Sequence, residues 1–139
     1  MLHHTFTIAK GLKKIIRYGN LNNELRPQYW RQITDQENIR TQVQEMAEIP
    51  ISESGDVSAL YQAILERVPT DESRLTPKIR DEISKDLART RTSDRVRTVE
   101  GQEEMRRVLL AIAYCMPDVG YCQGMNFIAS VLILSLIHI

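Results

Sequence analysis

The sequence is poor in the residues that build metal sites and disulfide scaffolds. Its 139 residues include two cysteines, Cys115 and Cys122, and three scattered histidines. These residues cannot supply the four spaced ligands of a structural zinc site, and they do not suggest a secreted domain held by disulfides. We therefore expect a cytoplasmic protein that works in a reducing environment and has no metal site of its own.

An excess of charge of one sign is also missing. Eighteen basic and eighteen acidic side chains cancel, so no global field attracts nucleic acid or a membrane surface. The first 17 residues mix apolar and basic side chains and lack the apolar core of a signal peptide. The run Phe127–Ile139 is apolar almost throughout, but its 13 residues are fewer than the roughly 20 that span a bilayer. The chain therefore reads as a soluble globular domain without nucleic-acid binding.

Strand-like alternation is absent, and the apolar residues recur at helical spacing along nearly the whole chain. The pattern predicts helices over residues 6–18, 22–33, 56–68, 76–88 and 105–116, and a last apolar helix after residue 126. Asp56 and Thr76 are predicted N-caps. A polar third segment from about Asp35 to Ala47 has few apolar anchors, and residues 49–55 and 89–101 are predicted loops. The predicted fold class is all-α, with one domain.

Polar residues that the fold does not need occur first at Ile83, Asp86 and Arg89. These three residues are three positions apart, so they lie on neighbouring parts of one helical surface. Ile83 can anchor the turn, Asp86 can accept a hydrogen bond, and Arg89 can project from the end of the helix. The ordinary alternative is a cation that interacts favourably with the helix dipole.

The second polar segment is Gly120–Ile128, with the sequence GYCQGMNFI. It places Tyr121, Gln123 and Asn126 where an apolar helix begins, although such residues cost packing or helix propensity. The ordinary alternative is a turn whose polar side chains satisfy backbone groups at a helix start. We expect both cysteines to be small core residues, and the methionines nearby to fill core space.

Together, the two segments suggest half of an active site. An Arg and a Gln are presented, but no nucleophile, metal site or phosphate-binding loop accompanies them. Slow GTPases lack a cation against the charge that develops during phosphoryl transfer and a group that orients the attacking water. An Arg supplies the first through its planar donor fork, and a Gln amide supplies the second because it both donates and accepts.

Ile83-x-x-Asp86-x-x-Arg89 followed by Tyr121-x-Gln123 resembles the paired signature of the TBC domain, the family of Rab GTPase-activating proteins. The surrounding residues agree in order, namely Leu12–Gly19, Leu25, Arg26, Trp30, Thr90, Gly101 and Val119–Asn126. The first motif alone is weak because its residues are common, whereas VGYCQGMN behind it is specific. The chain departs from the family at Gly19-Asn20-Leu21, where a proline is usual.

The resemblance covers residues 10–134, which we interpret as the N-terminal part of a TBC domain. Residues 1–9 are then an N-terminal extension, and residues 135–139 form a tail that the resemblance does not assign to the domain. Family members continue beyond the position of Ile139, so we expect an all-α TBC-type domain truncated before its C-terminal lobe.

The resemblance implies a domain that acts in trans on a GTP-loaded Rab protein in vesicle trafficking. Arg89 would be the arginine finger, and Gln123 the glutamine finger that substitutes for the Gln of the GTPase. Asp86 would hold Arg89, Tyr121 would shape the loop that presents Gln123, and Ile83 would anchor the helix. The chain would bind no cofactor, since GTP and magnesium arrive with the partner, and it would not be a stand-alone enzyme. Its location would be the cytoplasm or an endomembrane surface, with peripheral membrane association through the partner or other domains.

Two alternatives remain from the residues. The first is a non-catalytic TBC-like module that binds a small GTPase without accelerating it. The second is a thiol enzyme that uses Cys122 with His138, although the sequence around Cys122 lacks the local signatures of cysteine proteases.

Overall fold

The computed structural model describes residues 35–136, and this part of the chain is helical without a strand. It contains α1 (Gln36–Ala47), α2 (Ile51–Ser54), α3 (Val57–Arg67), α4 (Pro77–Arg89), α5 (Val99–Cys115) and α6 (Met125–Leu136). The predicted all-α class is confirmed. The helices predicted over residues 6–18 and 22–33 lie outside the described residues.

Side-chain caps set where the longer helices begin. Asp56 Oδ1 accepts a hydrogen bond from the Ala59 N–H at 2.8 Å, and Thr76 Oγ1 accepts one from the Ile79 N–H at 3.4 Å. Such a cap satisfies a backbone donor that has no partner within the helix. Both predicted caps are therefore confirmed.

Both predicted loops are partly wrong. The segment 49–55 contains the single turn α2, which is too short for apolar periodicity to reveal. The predicted loop 89–101 ends earlier, because Thr98 Oγ1 accepts a hydrogen bond from the Gly101 N–H at 3.0 Å and α5 begins at Val99. The first turn of α5 is polar, so no apolar stripe indicated the start of this helix.

Helix α5 lies at the centre of the described fold because it contributes buried residues to two apolar clusters. Ala113 and Tyr114 belong to a cluster with α3, and Met105 and Leu109 belong to a cluster with α4 and α6. The cluster with α3 is formed by Ala47, Ile49, Leu60, Ala63, Ile64, Val68, Leu75, Ala111, Ala113, Tyr114 and Cys115. The second cluster is formed by Ile83, Leu87, Val96, Met105, Leu109 and Ala129. It fixes the end of α4 beside the start of α6.

Helix α6 is only half covered by the described residues. Ala129 and Ser130 are buried, whereas Phe127, Ile128 and Val131 are more than half exposed. The sequence-based interpretation of this helix as buried therefore holds for one of its faces within residues 35–136. The covered face is the one that begins beside Tyr121 and the end of α4.

A close backbone contact requires glycine in the first turn of α5. A Cβ atom on Gly101 would lie 2.2 Å from the carbonyl oxygen of Arg95. We expect Gly101→Ala to lower the free energy of unfolding by about 2–3 kcal/mol through overpacking, against the higher helix propensity of alanine. Urea unfolding followed by circular dichroism measures this change.

The control for Gly101→Ala is Val99→Ala in the same helical turn. Val99 is 82% exposed, so its replacement should change the free energy of unfolding by no more than about 0.5 kcal/mol. Equal stability of the two variants would contradict the steric interpretation of Gly101.

Candidate functional site

Arg89 is the last residue of α4, and the packing of this helix directs it outward. Ile83 and Leu87 are fully buried in the cluster shared with α5, which leaves the opposite edge of the helix in solvent. The side chain of Arg89 is 69% exposed. Thr90 then takes an extended conformation and ends the helix. Ile83 is therefore buried where an anchor was predicted, and Arg89 projects into solvent at the end of the helix, as predicted.

The carboxylate of Asp86 contacts two side chains that come from different segments. Arg89 Nη2 donates a hydrogen bond to Asp86 Oδ1, and Tyr121 Oη donates one to Asp86 Oδ2 at 2.7 Å. Each carboxylate oxygen therefore has its own charge-assisted partner. This shared carboxylate connects the two polar segments across 35 residues of sequence.

The titration of Asp86 and Tyr121 favours this arrangement at neutral pH. The hydrogen bond from Tyr121, followed by the hydrogen bond and charge of Arg89, lowers the pKa of Asp86 although burial opposes this. Burial and the neighbouring Asp86 raise the pKa of Tyr121. Asp86 is thus a stable anion and Tyr121 a stable neutral donor. The stability from Asp86 is present above its ordinary pKa and is lost as pH falls through the lowered value.

Gln123 lies in the turn between α5 and α6. Gly120 accepts a left-handed φ of 60° there, and a Cβ atom on it would lie 3.0 Å from Ile79 Cδ1. This close approach seats the turn against α4 and brings Tyr121 to Asp86. Gln123 is exposed, and its side chain forms no hydrogen bond with any residue between 35 and 136. The next residue, Gly124, also has a positive φ, of 102°.

The two segments meet in an open pocket of about 270 Å³. Its lining residues are Glu82, Lys85, Asp86, Arg89, Tyr121 and Gln123. Four of the five predicted site residues therefore line one pocket, and the fifth, Ile83, lies beneath it in the core.

Glu82 and Lys85 are pocket residues that the sequence reasoning missed. They lie on the same helical face as Asp86 and Arg89, so helical spacing could have found them. Lys85 Nζ is 2.6 Å from Asp81 Oδ2, and Glu82 Oε1 is 4.0 Å from Lys78 Nζ. Both side chains are therefore already paired on the surface of α4.

The pocket presents a guanidinium and an amide to solvent. The described residues include no group of three His, Cys, Asp or Glu side chains that could hold a metal ion. Between residues 35 and 136, no helix is both long and apolar enough to cross a membrane. The pocket offers exposed hydrogen-bond donors and acceptors, and its charged lining residues are two acids and two bases.

The two cysteines differ in their surroundings, and the prediction that both are core residues is wrong for one of them. Cys115 is buried, as predicted, whereas Cys122 is exposed because the turn that carries it faces solvent. Burial raises the pKa of the Cys115 thiol to about 11. The proposed pairing of Cys122 with His138 cannot be compared with the structure, because His138 lies outside the described residues.

We expect a water-soluble thiol reagent at pH 7.5 to modify Cys122 at least about 100-fold faster than Cys115. The reason is that only the thiolate reacts, and Cys115 is both protonated and shielded from the reagent. Mass spectrometry of the modified peptides over time measures both rates. The variant Cys122→Ser should remove the fast phase, and a fast phase that persists in it would contradict the assignment.

Comparison with known proteins confirms the family resemblance. The Rab-GTPase-TBC domain family matches residues 23–138, a range that includes all the predicted site residues. No solved structure gives a significant match to the chain.

Two of the relatives are named after the TBC1 domain family. The chain is 31% identical over 128 residues to TBC1 domain family member 2A of Bos taurus, covering 90% of this chain and 12% of that protein. The values for TBC1 domain family member 2B of Homo sapiens are the same. Small G protein signaling modulator 3 of Mus musculus is 31% identical over 132 residues, which cover 92% of this chain and 15% of that protein. The chain thus spans a small part of the length of each relative, and it belongs to the Rab-GTPase-TBC domain family.

Proposed function

We propose that this chain is a GTPase-activating domain for a Rab-family small GTPase, with Arg89 and Gln123 inserted in trans as catalytic fingers. The observation that carries the proposal is their convergence. One side chain comes from the end of α4 and the other from the turn before α6, yet both line one open pocket. The family membership supports the same function.

The chemistry of GTP hydrolysis explains how an Arg and a Gln from outside the GTPase can accelerate the reaction. Negative charge develops on the transferred phosphoryl group and on the leaving oxygen, and a guanidinium from outside can stabilise it. An amide can accept a hydrogen bond from the attacking water and donate one to the phosphoryl group. GTP and its magnesium ion are supplied by the partner, so the chain accelerates a reaction that it does not catalyse alone.

Asp86 and Tyr121 support the fingers in this proposal. Asp86 restricts the Arg89 side chain before the partner binds, which reduces the entropy lost on forming the transition state. Tyr121 reaches the same carboxylate from the turn that carries Gln123. The buried Ile83 holds the end of α4 against α5, so the helix end that presents Arg89 is fixed.

Action on Rab proteins would place the chain in the cytoplasm, at the endomembrane surfaces where vesicle trafficking takes place. Membrane association would then be peripheral, through the partner or through other domains. The balanced charge of the chain is consistent with a protein partner and gives no reason to expect nucleic-acid binding.

Single-turnover hydrolysis tests the proposal. Rab proteins loaded with GTP would be mixed with an excess of the chain, and phosphate release followed by a fluorescent sensor. At least one Rab should be accelerated by about 10³-fold or more at saturation. The double variant Arg89→Ala/Gln123→Ala serves as the inactive control.

Two outcomes would count against catalysis. Equal rates for the wild-type chain and the double variant would show that the fingers do not act. Saturable binding to a GTP-loaded Rab without any acceleration would instead support the alternative, a non-catalytic binding module.

A further inference from the structure

The buried polar residues are concentrated beside the two fingers. Among the residues whose burial the structure describes, the buried polar or charged ones are Asp86, Thr90, Asn126 and Ser130. Thr90 directly follows Arg89, and Asn126 lies three positions after Gln123. Apolar side chains of similar size would fill these positions without the cost of removing polar groups from water.

A continuous chain of hydrogen bonds joins Thr90 and Asn126. Asn126 Nδ2 donates to Thr90 Oγ1 at 2.6 Å, and Thr90 Oγ1 donates to the backbone carbonyl of Asp86 at 2.6 Å. On the other side, Asn126 Oδ1 accepts from the N–H of Gly124 at 3.2 Å. This series of hydrogen bonds therefore runs from the last turn of α4 to Gly124, the residue next to Gln123.

These bonds differ in kind from the contact between Asp86 and Tyr121. That contact lies in the open pocket and restrains side chains. The side chains of Thr90 and Asn126 lie beneath the pocket, with exposures of 0% and 3%. Their hydrogen bonds connect the backbone carbonyl of Asp86, three residues before Arg89, to the N–H of Gly124, next to Gln123. Water competes little with the two fully buried hydrogen bonds of Thr90 Oγ1, so these two bonds fix geometry more firmly than the part-buried contact between Asp86 and Tyr121.

We propose that Thr90 and Asn126 are positioning residues that fix the distance between Arg89 and Gln123. The inference rests on the proposed function, because it concerns the same reaction. The reacting groups must be placed within a fraction of an ångström, and a displacement of about 1 Å can cost roughly 100-fold in rate. The hydrogen bonds through Thr90 and Asn126, called the tie below, connect the two backbones and provide this precision before the GTPase binds.

The matched pair Thr90→Val and Thr90→Ser tests the tie at one atom. Valine keeps the shape of threonine but removes the hydroxyl, whereas serine keeps the hydroxyl. At a saturating concentration of the protein, we expect Thr90→Val to lower the single-turnover rate of GTP hydrolysis by about 10- to 100-fold. Its affinity for the GTP-loaded Rab should change by less than about threefold, since the contact surface is retained. Thr90→Ser should keep the rate within about threefold of the wild type.

A double variant separates positioning from stability. Thr90→Val leaves the Asn126 Nδ2 donor buried without an acceptor and should destabilise the fold. Thr90→Val/Asn126→Leu removes that donor and should recover stability, because the part-buried Gly124 N–H, which loses its acceptor, can bind water instead. If the tie positions the fingers, the double variant regains the urea unfolding midpoint of the wild type. Its saturated rate of GTP hydrolysis stays at least about tenfold below that of the wild type. Recovery of the rate together with stability would overturn the proposal.

Amide hydrogen exchange of the chain alone provides a readout that does not need GTPase activity. The Gly124 amide should exchange about tenfold faster in the double variant than in the wild type, with the α5 amide of Leu109 unchanged. If the wild-type chain accelerates no Rab, the proposed function fails, and this measurement still decides whether the tie exists. Unchanged exchange at Gly124 would overturn the tie even if the chain is active.

Discussion

Replacing Arg89 by alanine is expected to lower the saturated rate of GTP hydrolysis by about 10³-fold or more, which is most of the acceleration that a trans-acting arginine gives. The side chain is 69% exposed, so this loss would not come from unfolding. Arg89→Lys should recover only a small part of the rate, because lysine keeps the charge but lacks the planar donor fork. Single-turnover phosphate release at several chain concentrations separates the rate from the affinity.

Arg91→Ala is the matched control for Arg89→Ala. Arg91 is an exposed arginine two residues further along, and it does not line the pocket. Its replacement removes the same charge from the same surface region but leaves Arg89 in place. The saturated rate should therefore stay within about threefold of the wild type. Similar losses for both variants would show that general positive charge, and not a finger, carries the effect.

Replacing Gln123 by alanine should lower the saturated rate by about 10²- to 10³-fold, the usual cost of removing one donor directed at developing charge. The side chain is exposed and forms no hydrogen bond within residues 35–136, so the free energy of unfolding should change by less than about 0.5 kcal/mol. Gln62→Ala is the control, because Gln62 is an exposed glutamine on α3 and is not a lining residue of the pocket.

A variant of the partner distinguishes the role of Gln123 from that of a simple contact. If Gln123 orients the attacking water, the wild-type chain should still accelerate a Rab whose own water-orienting Gln is replaced by alanine. Gln123→Ala should fail on that Rab. The double variant Arg89→Ala/Gln123→Ala should lose less than the product of the single losses, because residues that act together are not additive. A chain that fails on the altered Rab would refute this role.

The helices that the sequence predicted well are those with strong local chemistry. Asp56 and Thr76 precede regular apolar stripes, and a cap depends only on residues within one turn. Thr98 is an equally good cap, but the turn after it contains Val99, which is 82% exposed, and Gly101, which ordinarily weakens a helix. The reason for that glycine is the carbonyl of Arg95, a contact that the sequence does not show.

The candidate site was predictable as a set of residues but not as a geometry. Helical spacing placed Asp86 beside Arg89, and the unusual composition of the turn marked Gln123. The contact between Tyr121 and Asp86 joins residues 35 positions apart, so it depends on how α5 packs between α4 and α6. The burial of Asn126 and the exposure of Cys122 depend on the same packing, and local patterns could not separate them.

The exposure of Gln123 has an evolutionary consequence. Its side chain contributes no hydrogen bond to the described fold, so selection for folding alone does not preserve it. A single substitution at this position would leave the core and the other lining residues of the pocket unchanged. If Gln123 acts as proposed, a descendant of such a domain could therefore keep a GTPase partner while losing catalysis, and a non-catalytic binding module would arise in one mutational step.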